Sequence, residues 1–326
     1  MKLRRSGAFR LFTFIGMVAS SLPAYAQADY PNRPVQVVVA YPAGGGTDTL
    51  ARIVTTELGK ILGQPFVVVN KPGASGMIGT MAVARALPDG YTLLLDTGNA
   101  TLRPAIEPST PFKPGDFAPV ALLTESPVAL AVNAQVPVDT LSELIAYSKA
   151  NPGKINYAST GPGSPQNLVS ELLKTKAWVD WQEVPYQGGG PALNDLSAGR
   201  VQVMFSNPVP LMPFVNTKRL KVLAVTSADR LAALEGIPTM AEAGQPDFRI
   251  GFWNGVLAPK GTPAPVLARL SDAILDVMKR PAVRDALIRQ GSVLMPLGPT
   301  PFARYMAQDT TRWERVAKTI HYKPTQ

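Results

Sequence analysis

Four short loops combine glycine with neutral hydroxyl or amide side chains, the residue types that can hold an anion without a fixed opposite charge. They are Tyr41-Pro42-Ala43-Gly44-Gly45-Gly46-Thr47-Asp48, Lys71-Pro72-Gly73-Ala74-Ser75-Gly76, Ser159-Thr160-Gly161-Pro162-Gly163-Ser164 and Gln187-Gly188-Gly189-Gly190. Glycine allows close backbone approach and positive φ. Where such a loop opens a helix, the first N–H groups lack intrahelical partners and carry the positive end of the helix dipole. Together these groups can orient N–H and O–H donors on a carboxylate. Any one loop alone reads equally as an ordinary tight turn. Two fall in each half of the chain, which is what a cleft between facing domains requires.

Enzyme chemistry has little to work with. The 326 residues include no cysteine and a single histidine, His321, close to the C-terminus. Thiol nucleophiles, disulfides and cysteine-ligated metals are thereby excluded, and no metal site is expected. A hydrolase or lyase would have to activate Ser75, Ser159 or Ser164 through His321 alone. A dinucleotide fingerprint fails because Thr49 stands where the third glycine belongs, and Asn70 and Lys71 occupy the stretch where an acid is needed. There is no Gly-Lys-Ser/Thr P-loop either, so no cofactor is expected. Asp48 is an acid beside a proposed anion site; it reads as the N-cap of the following helix or as a contact for an amine or water on the ligand.

Residues 1–26 have the pattern of an export signal: Met-Lys-Leu-Arg-Arg at the start, an apolar run over Leu11–Ala19, and Ala24-Tyr25-Ala26. Cleavage is expected after Ala26. The apolar run is too short to span a bilayer, and Gln27 stands where a lipid anchor would need cysteine, so a freely soluble periplasmic protein is expected. Four of the 32 basic residues and none of the 23 acids lie in that segment, leaving +5 on the remainder. No basic stripe interleaved with aromatics suggests nucleic acid. The mild positive excess suits small anionic solutes.

Alternating apolar patterns must position the loops. Val35–Ala40, Phe66–Val69 and Tyr91–Leu95 read as strands, with helices over Asp48–Leu62 and Met77–Ala86 between them, giving an open wound parallel sheet. A second set follows from Val128: strands Val128–Val132, Ile155–Ala158, Trp181–Val184, Val201–Phe205 and Lys221–Thr226. Its helices are Thr140–Ala150, opened by a capping box of Thr140 and Glu143, Gln166–Lys176 and Ala192–Ala198. The strand Gly251–Leu257 and helices Pro263–Met278, Pro281–Gln290 and Pro301–Lys318 close the chain. Trp178 and Trp181 read as half-buried, Met204 and Phe205 as core, and Arg52 as an ion-pairing residue. This α/β pattern predicts a discontinuous first domain, 27–125 with 249–326, and a second domain, 126–248, joined by crossings near Glu125–Ser126 and Phe248–Phe252.

An ordered set of motifs runs through nearly the whole chain after the signal. It comprises Tyr30-Pro31-x-Arg33-Pro34-Val35, Tyr41-Pro42-Ala43-Gly44-Gly45-x-x-Asp48, Val69-Asn70-Lys71-Pro72-Gly73-Ala74-x-Gly76 and Pro88-Asp89-Gly90-Tyr91-Thr92-Leu93. In the second half stand Tyr157-x-Ser159-x-Gly161-x-Gly163-Ser164, Val184-Pro185-Tyr186-x-Gly188-x-x-Pro191-Ala192, Ile237-Pro238-Thr239 and Trp253-x-Gly255-x-x-Ala258-Pro259-x-Gly261-Thr262-Pro263. With these the chain resembles the substrate-binding proteins of tripartite tricarboxylate transporters, the Bug (Bordetella uptake gene) or TctC family. The resemblance implies a type II periplasmic binding fold, with two wound α/β domains on a double-crossover hinge. It implies a monomeric receptor, not an enzyme, that carries a small organic acid to a two-component membrane permease; the same closure would serve a sensor. Carried over by motif, the ligand contacts are Tyr41, Ala43, Gly44, Thr47 and Asp48, with Ala74, Ser75 and Gly76. From the second domain come Ser159, Thr160, Gly163 and Ser164, with Gln187 and Gly188. Asn167 stands where the resemblance leads one to expect histidine.

Overall fold

The computed structural model describes residues 30–324. The expected signal, residues 1–26 with cleavage after Ala26, lies outside them. The chain begins as the apolar pattern predicts: β1 (Val35–Val39), α1 (Gly46–Leu62), β2 (Phe66–Asn70), α2 (Met77–Ala84) and β3 (Thr92–Asp96). Val35, Val37, Val38 and Val39 are all nearly inaccessible, because helices cover both faces of this part of the sheet. Each such burial stabilises by roughly 1.5–3 kcal/mol. α3 (Asn99–Ile106) and the long β4 (Phe117–Pro127) follow.

The middle of the chain forms β5 (Ala129–Asn133), α4 (Leu141–Ala150), β6 (Ile155–Ser159), α5 (Pro165–Ala177), β7 (Trp181–Pro185), α6 (Gly189–Ser197), β8 (Val203–Ser206), α7 (Pro208–Asn216) and β9 (Leu220–Val225). The expected capping box is formed: Thr140 Oγ1 accepts from the Glu143 N–H at 3.1 Å while Glu143 Oε2 accepts from the Thr140 N–H. The chain then runs through β10 (Gly251–Pro259), α8 (Ala264–Val277), α9 (Pro281–Arg289), β11 (Val293–Leu297) and α10 (Pro299–Thr319).

Two sheets result. One has the order β11-β4-β10-β3-β1-β2 and the other β7-β6-β8-β5-β9. The chain passes between them twice, from β4 into β5 and from β9 to β10. Within the first sheet β1, β2 and β3 are parallel, as expected, but β10 pairs antiparallel with both β3 and β4, and β11 pairs antiparallel with β4. The second sheet is likewise mixed, since β5 runs antiparallel to both β8 and β9. Among the described residues no helix is long and apolar enough to cross a membrane.

Four elements depart from the sequence expectation, and proline is common to all of them. α3 carries Pro104, α7 carries Pro213 and opens with proline, β4 includes Pro119 and ends on Pro127, and β11 contains Pro296. The first turn of a helix tolerates Pro208 and the edge strand β11 tolerates Pro296, whereas Pro104 and Pro213 lie inside their helices and β4 is an interior strand. The tryptophans also correct their reading: Trp178 is 85% exposed, whereas Trp181 is buried and donates from Nε1 to Ser148 Oγ. Met204 and Phe205 are core, as expected.

Candidate functional site

The loop after β1 is braced by one carboxylate. Asp48 lies in the first turn of α1, and Gly45, not Asp48 or Thr47, is the N-cap residue. Its Oδ2 accepts from the Gly44 N–H at 2.9 Å and from Arg52 Nε at 3.0 Å. Its Oδ1 accepts from Arg52 Nη2 and from Asn70 Nδ2, both at 3.0 Å. The Arg52 guanidinium holds the Asp48 carboxylate down at about 2. Asn70 also donates to the Tyr41 carbonyl. Asp48 is buried and surrounded by these donors, so it shapes the Tyr41–Thr47 loop from behind, and Arg52 is the expected ion-pairing residue.

Residues 73–76 all have positive φ: Gly73 at 130°, Ala74 at 47°, Ser75 at 52° and Gly76 at 93°. Ala74 and Ser75 each cost of order 1–2 kcal/mol in this conformation. At Gly76 a Cβ would overlap Asn99 Nδ2, so only glycine lets this turn lie against α3. Asn99 Nδ2 bridges the same junction, donating to Tyr41 Oη at 3.0 Å and to the Ser75 carbonyl at 3.4 Å.

A cavity of about 250 Å³ opens where the loops of the two sheets meet. Tyr41, Gly46, Thr47 and Leu50 come from the β1–α1 junction, and Thr97, Asn99 and Leu102 from the β3–α3 junction. Ser126, Val128, Phe252 and Asn254 come from the crossing strands and the residue after β4. Pro165, Gln166 and Asn207 belong to the five-stranded side, and Gln290 and Ser292 to the α9–β11 loop. No lining side chain is charged. Tyr41 Oη accepts from Thr97 Oγ1 at 3.1 Å as well as from Asn99, which leaves its own hydrogen for an acceptor in the cavity. Burial raises its pKa, so the phenol keeps that hydrogen. Asn254 Nδ2 donates to Thr124 Oγ1 and Ser126 Oγ, freeing the Ser126 hydrogen in the same way. Gln166 Oε1 accepts from Thr160 Oγ1 and leaves its amide N–H groups to donate.

Two ionisable groups lie just outside this neutral shell. Asp96, fully buried at the end of β3, accepts from the Ala100 N–H at 2.9 Å, and burial pushes its carboxyl up to about 6. Arg103, on α3 one turn beyond Asn99, is 6% exposed, and its Nε has no hydrogen-bond partner. Both fields reach Tyr41, with opposite sign.

Of the residues singled out in the sequence, Tyr41 and Thr47 line the cavity, and Gly76 packs behind its floor. Ala43 and Gly44 are exposed at the loop, as are Ala74 and Ser75 in the next turn. The residues of the loop between β6 and α5 serve largely to hold that loop. Ser159 is fully buried, donates to Glu183 Oε1 at 2.5 Å and accepts from the Gly161 N–H. Gly163 N–H donates to Asn167 Oδ1, and Ser164 caps α5 by accepting from the Asn167 N–H. Asn167 Nδ2 in turn donates to Tyr157 Oη and Glu183 Oε1, a structural post in place of the expected histidine. Gln187 and Gly188 do not line the cavity. Sequence reasoning passed over Thr97, Asn99, Ser126, Gln166 and Asn254. Thr97-Gly98-Asn99 directly after a predicted strand was a fifth glycine-bearing strand-to-helix turn, and it was the available signal.

Comparison with known proteins agrees with this architecture. The family model of the tripartite tricarboxylate transporter family receptor, TctC, matches residues 50–322. Protein BugT of Bordetella pertussis is 36% identical over 315 residues, which cover 95% of this chain and 97% of that protein. An R. palustris protein solved with adipate superposes with a TM-score of 0.82 at 33% identity, covering 91% of this chain and all of the other. MatC from Rhodopseudomonas palustris, solved with bound malate, gives 0.78 at 36% identity, covering 88% of this chain and 99% of the other. With two mixed α/β sheets, a doubly crossed boundary and this match along most of its length, the chain belongs to the TctC family of solute-binding receptors.

Proposed function

We propose that the protein is a periplasmic receptor that closes two lobes on a small carboxylate-bearing organic acid and delivers it to a two-component membrane permease. The lobes are residues 27–125 with 249–326, and 126–248; β4 and β10 are the hinge strands. The protein acts as a monomer after removal of residues 1–26. The observation that carries this reading is the uncharged cavity whose walls come from both sheets and whose floor offers the Tyr41 and Ser126 hydroxyls. The loops after β1 and β6, with Gly44, Ser75, Gly163 and Ser164, are the rims that close over the bound acid, and water links those donors that do not touch it. Related structures hold adipate and malate, which supports starting with aliphatic dicarboxylates, and monocarboxylates are further candidates. Tyr41 can also flank an aromatic acid.

Neutral donors favour release. A buried ion pair gains Coulomb energy but costs desolvation, and a site built of hydroxyls and amides discriminates by shape while keeping dissociation accessible. The test is a thermal-shift survey of the purified protein against aliphatic, aromatic and amino dicarboxylates. A rise in Tm with at least one acid is expected; no response across the set would overturn the reading.

A further inference from the structure

A second and larger cavity, about 790 Å³, lies behind the crossing strands. Side chains alternate across a strand, so Ser126 and Asn254 line the front cavity while Glu125 and Trp253 point the other way. Glu125 lines the rear cavity, and Trp253 Nε1 donates to Asp309 of α10 at 2.7 Å. The rear cavity is rich in cations. Lys176 comes from α5, Arg249 from the approach to β10, and Arg312 and Arg315 from α10, against the acids Glu125 and Asp247.

Part of that charge is already matched. Arg312 pairs with Asp309, and Arg249 Nη2 lies 3.9 Å from Glu125 Oε2. Among the described residues Lys176 and Arg315 have no carboxylate within ion-pairing distance. A concave site thus has unmatched cations at its rim and two further guanidinium groups on its wall.

We propose that this rear cavity binds a small multivalent oxyanion of the phosphate or polycarboxylate kind, independently of the front cavity. Lys176 and Arg315 supply the charge that attracts it, and Arg249 and the exposed part of the Arg312 guanidinium supply donors on the wall. A flat protein surface would meet the rim without filling a concavity of about 790 Å³, which is why a small solute is the occupant. Lys176 and Arg315 lie on α5 and α10, so a bound anion also ties the middle segment of the chain to its C-terminal helix.

The test is a calorimetric titration of the full exported protein with pyrophosphate and, separately, inorganic phosphate. Pyrophosphate is expected to bind at one site, more weakly as salt is raised. The double variant Lys176→Ala/Arg315→Ala removes two exposed side chains and should weaken binding more than about tenfold. A charge-matched control, Arg85→Ala/Lys149→Ala, and a front-cavity variant, Asn99→Ala, should bind as the parent does. Absence of binding, equal losses in both double variants, or loss in Asn99→Ala would each overturn the proposal.

Discussion

The two cavities share a wall and differ in kind. β4 and β10 turn Ser126 and Asn254 to one and Glu125 to the other, yet the front cavity has no charged lining residue while the rear one has four cations and two acids. A neutral site selects by the placement of hydroxyls and amides and is nearly indifferent to salt. A cationic site selects by charge and weakens as salt screens it. One pair of strands therefore supports two recognition chemistries, separated by a single step of side-chain alternation.

The dividing wall should be the most sensitive point. Asp309 accepts from Thr101 Oγ1 at 2.5 Å and from Trp253 Nε1, and pairs with Arg312. Asp309→Ala leaves the half-buried Arg312 guanidinium without its carboxylate and orphans the buried Trp253 Nε1, while Thr101 Oγ1 keeps the Gly98 carbonyl. It should cost about 3–5 kcal/mol in chemical denaturation, and a loss below about 1 kcal/mol would show that the wall is not held this way.

Next in size is the carboxylate under the front cavity. Burial raises the Asp96 carboxyl to about 6 in the folded state from its ordinary 3.8. The folded protein therefore binds a proton that the unfolded chain has released between these values. Stability should be highest near the lower value and fall by about 3 kcal/mol as pH rises through this window. Asp96→Asn should abolish this slope, measured as denaturation midpoint against pH, while its Oδ1 can still accept from Ala100.

Smaller effects separate the faces. Asn99→Ala removes the bridge between Tyr41 and Ser75 and should weaken organic-acid binding by about tenfold in a titration, the scale of a lost hydrogen bond to a charged ligand. Least of all, Lys176→Ala/Arg315→Ala should leave folding stability within about 0.5 kcal/mol, as exposed substitutions do. Its affinity for organic acids should likewise stay unchanged.

Much of the front half of the site was legible because local chemistry dictates it. The valine run of β1, the glycine junction after it and the Thr140–Glu143 capping box each follow from a few adjacent residues. What escaped depends on distant partners. Asp48 looked like a helix cap because aspartate favours that position, but Arg52 and Asn70 draw it into a brace behind the loop. Ser159 looked like a ligand donor, but Glu183, on the neighbouring strand, takes its hydrogen. Asn254 acquires its role only when β10 pairs with β4 and brings Thr124 and Ser126 beside it. The rear cavity had no local signature, since its cations come from segments some 140 positions apart that only the fold assembles.

The most direct measurement is a calorimetric titration of malate and adipate into the parent protein at low and at high salt. Saturable binding of at least one acid, with an affinity that barely changes between the two salt concentrations, is the expected result for a cavity of neutral donors. No binding by any carboxylate, or an affinity that collapses as salt rises, would contradict it.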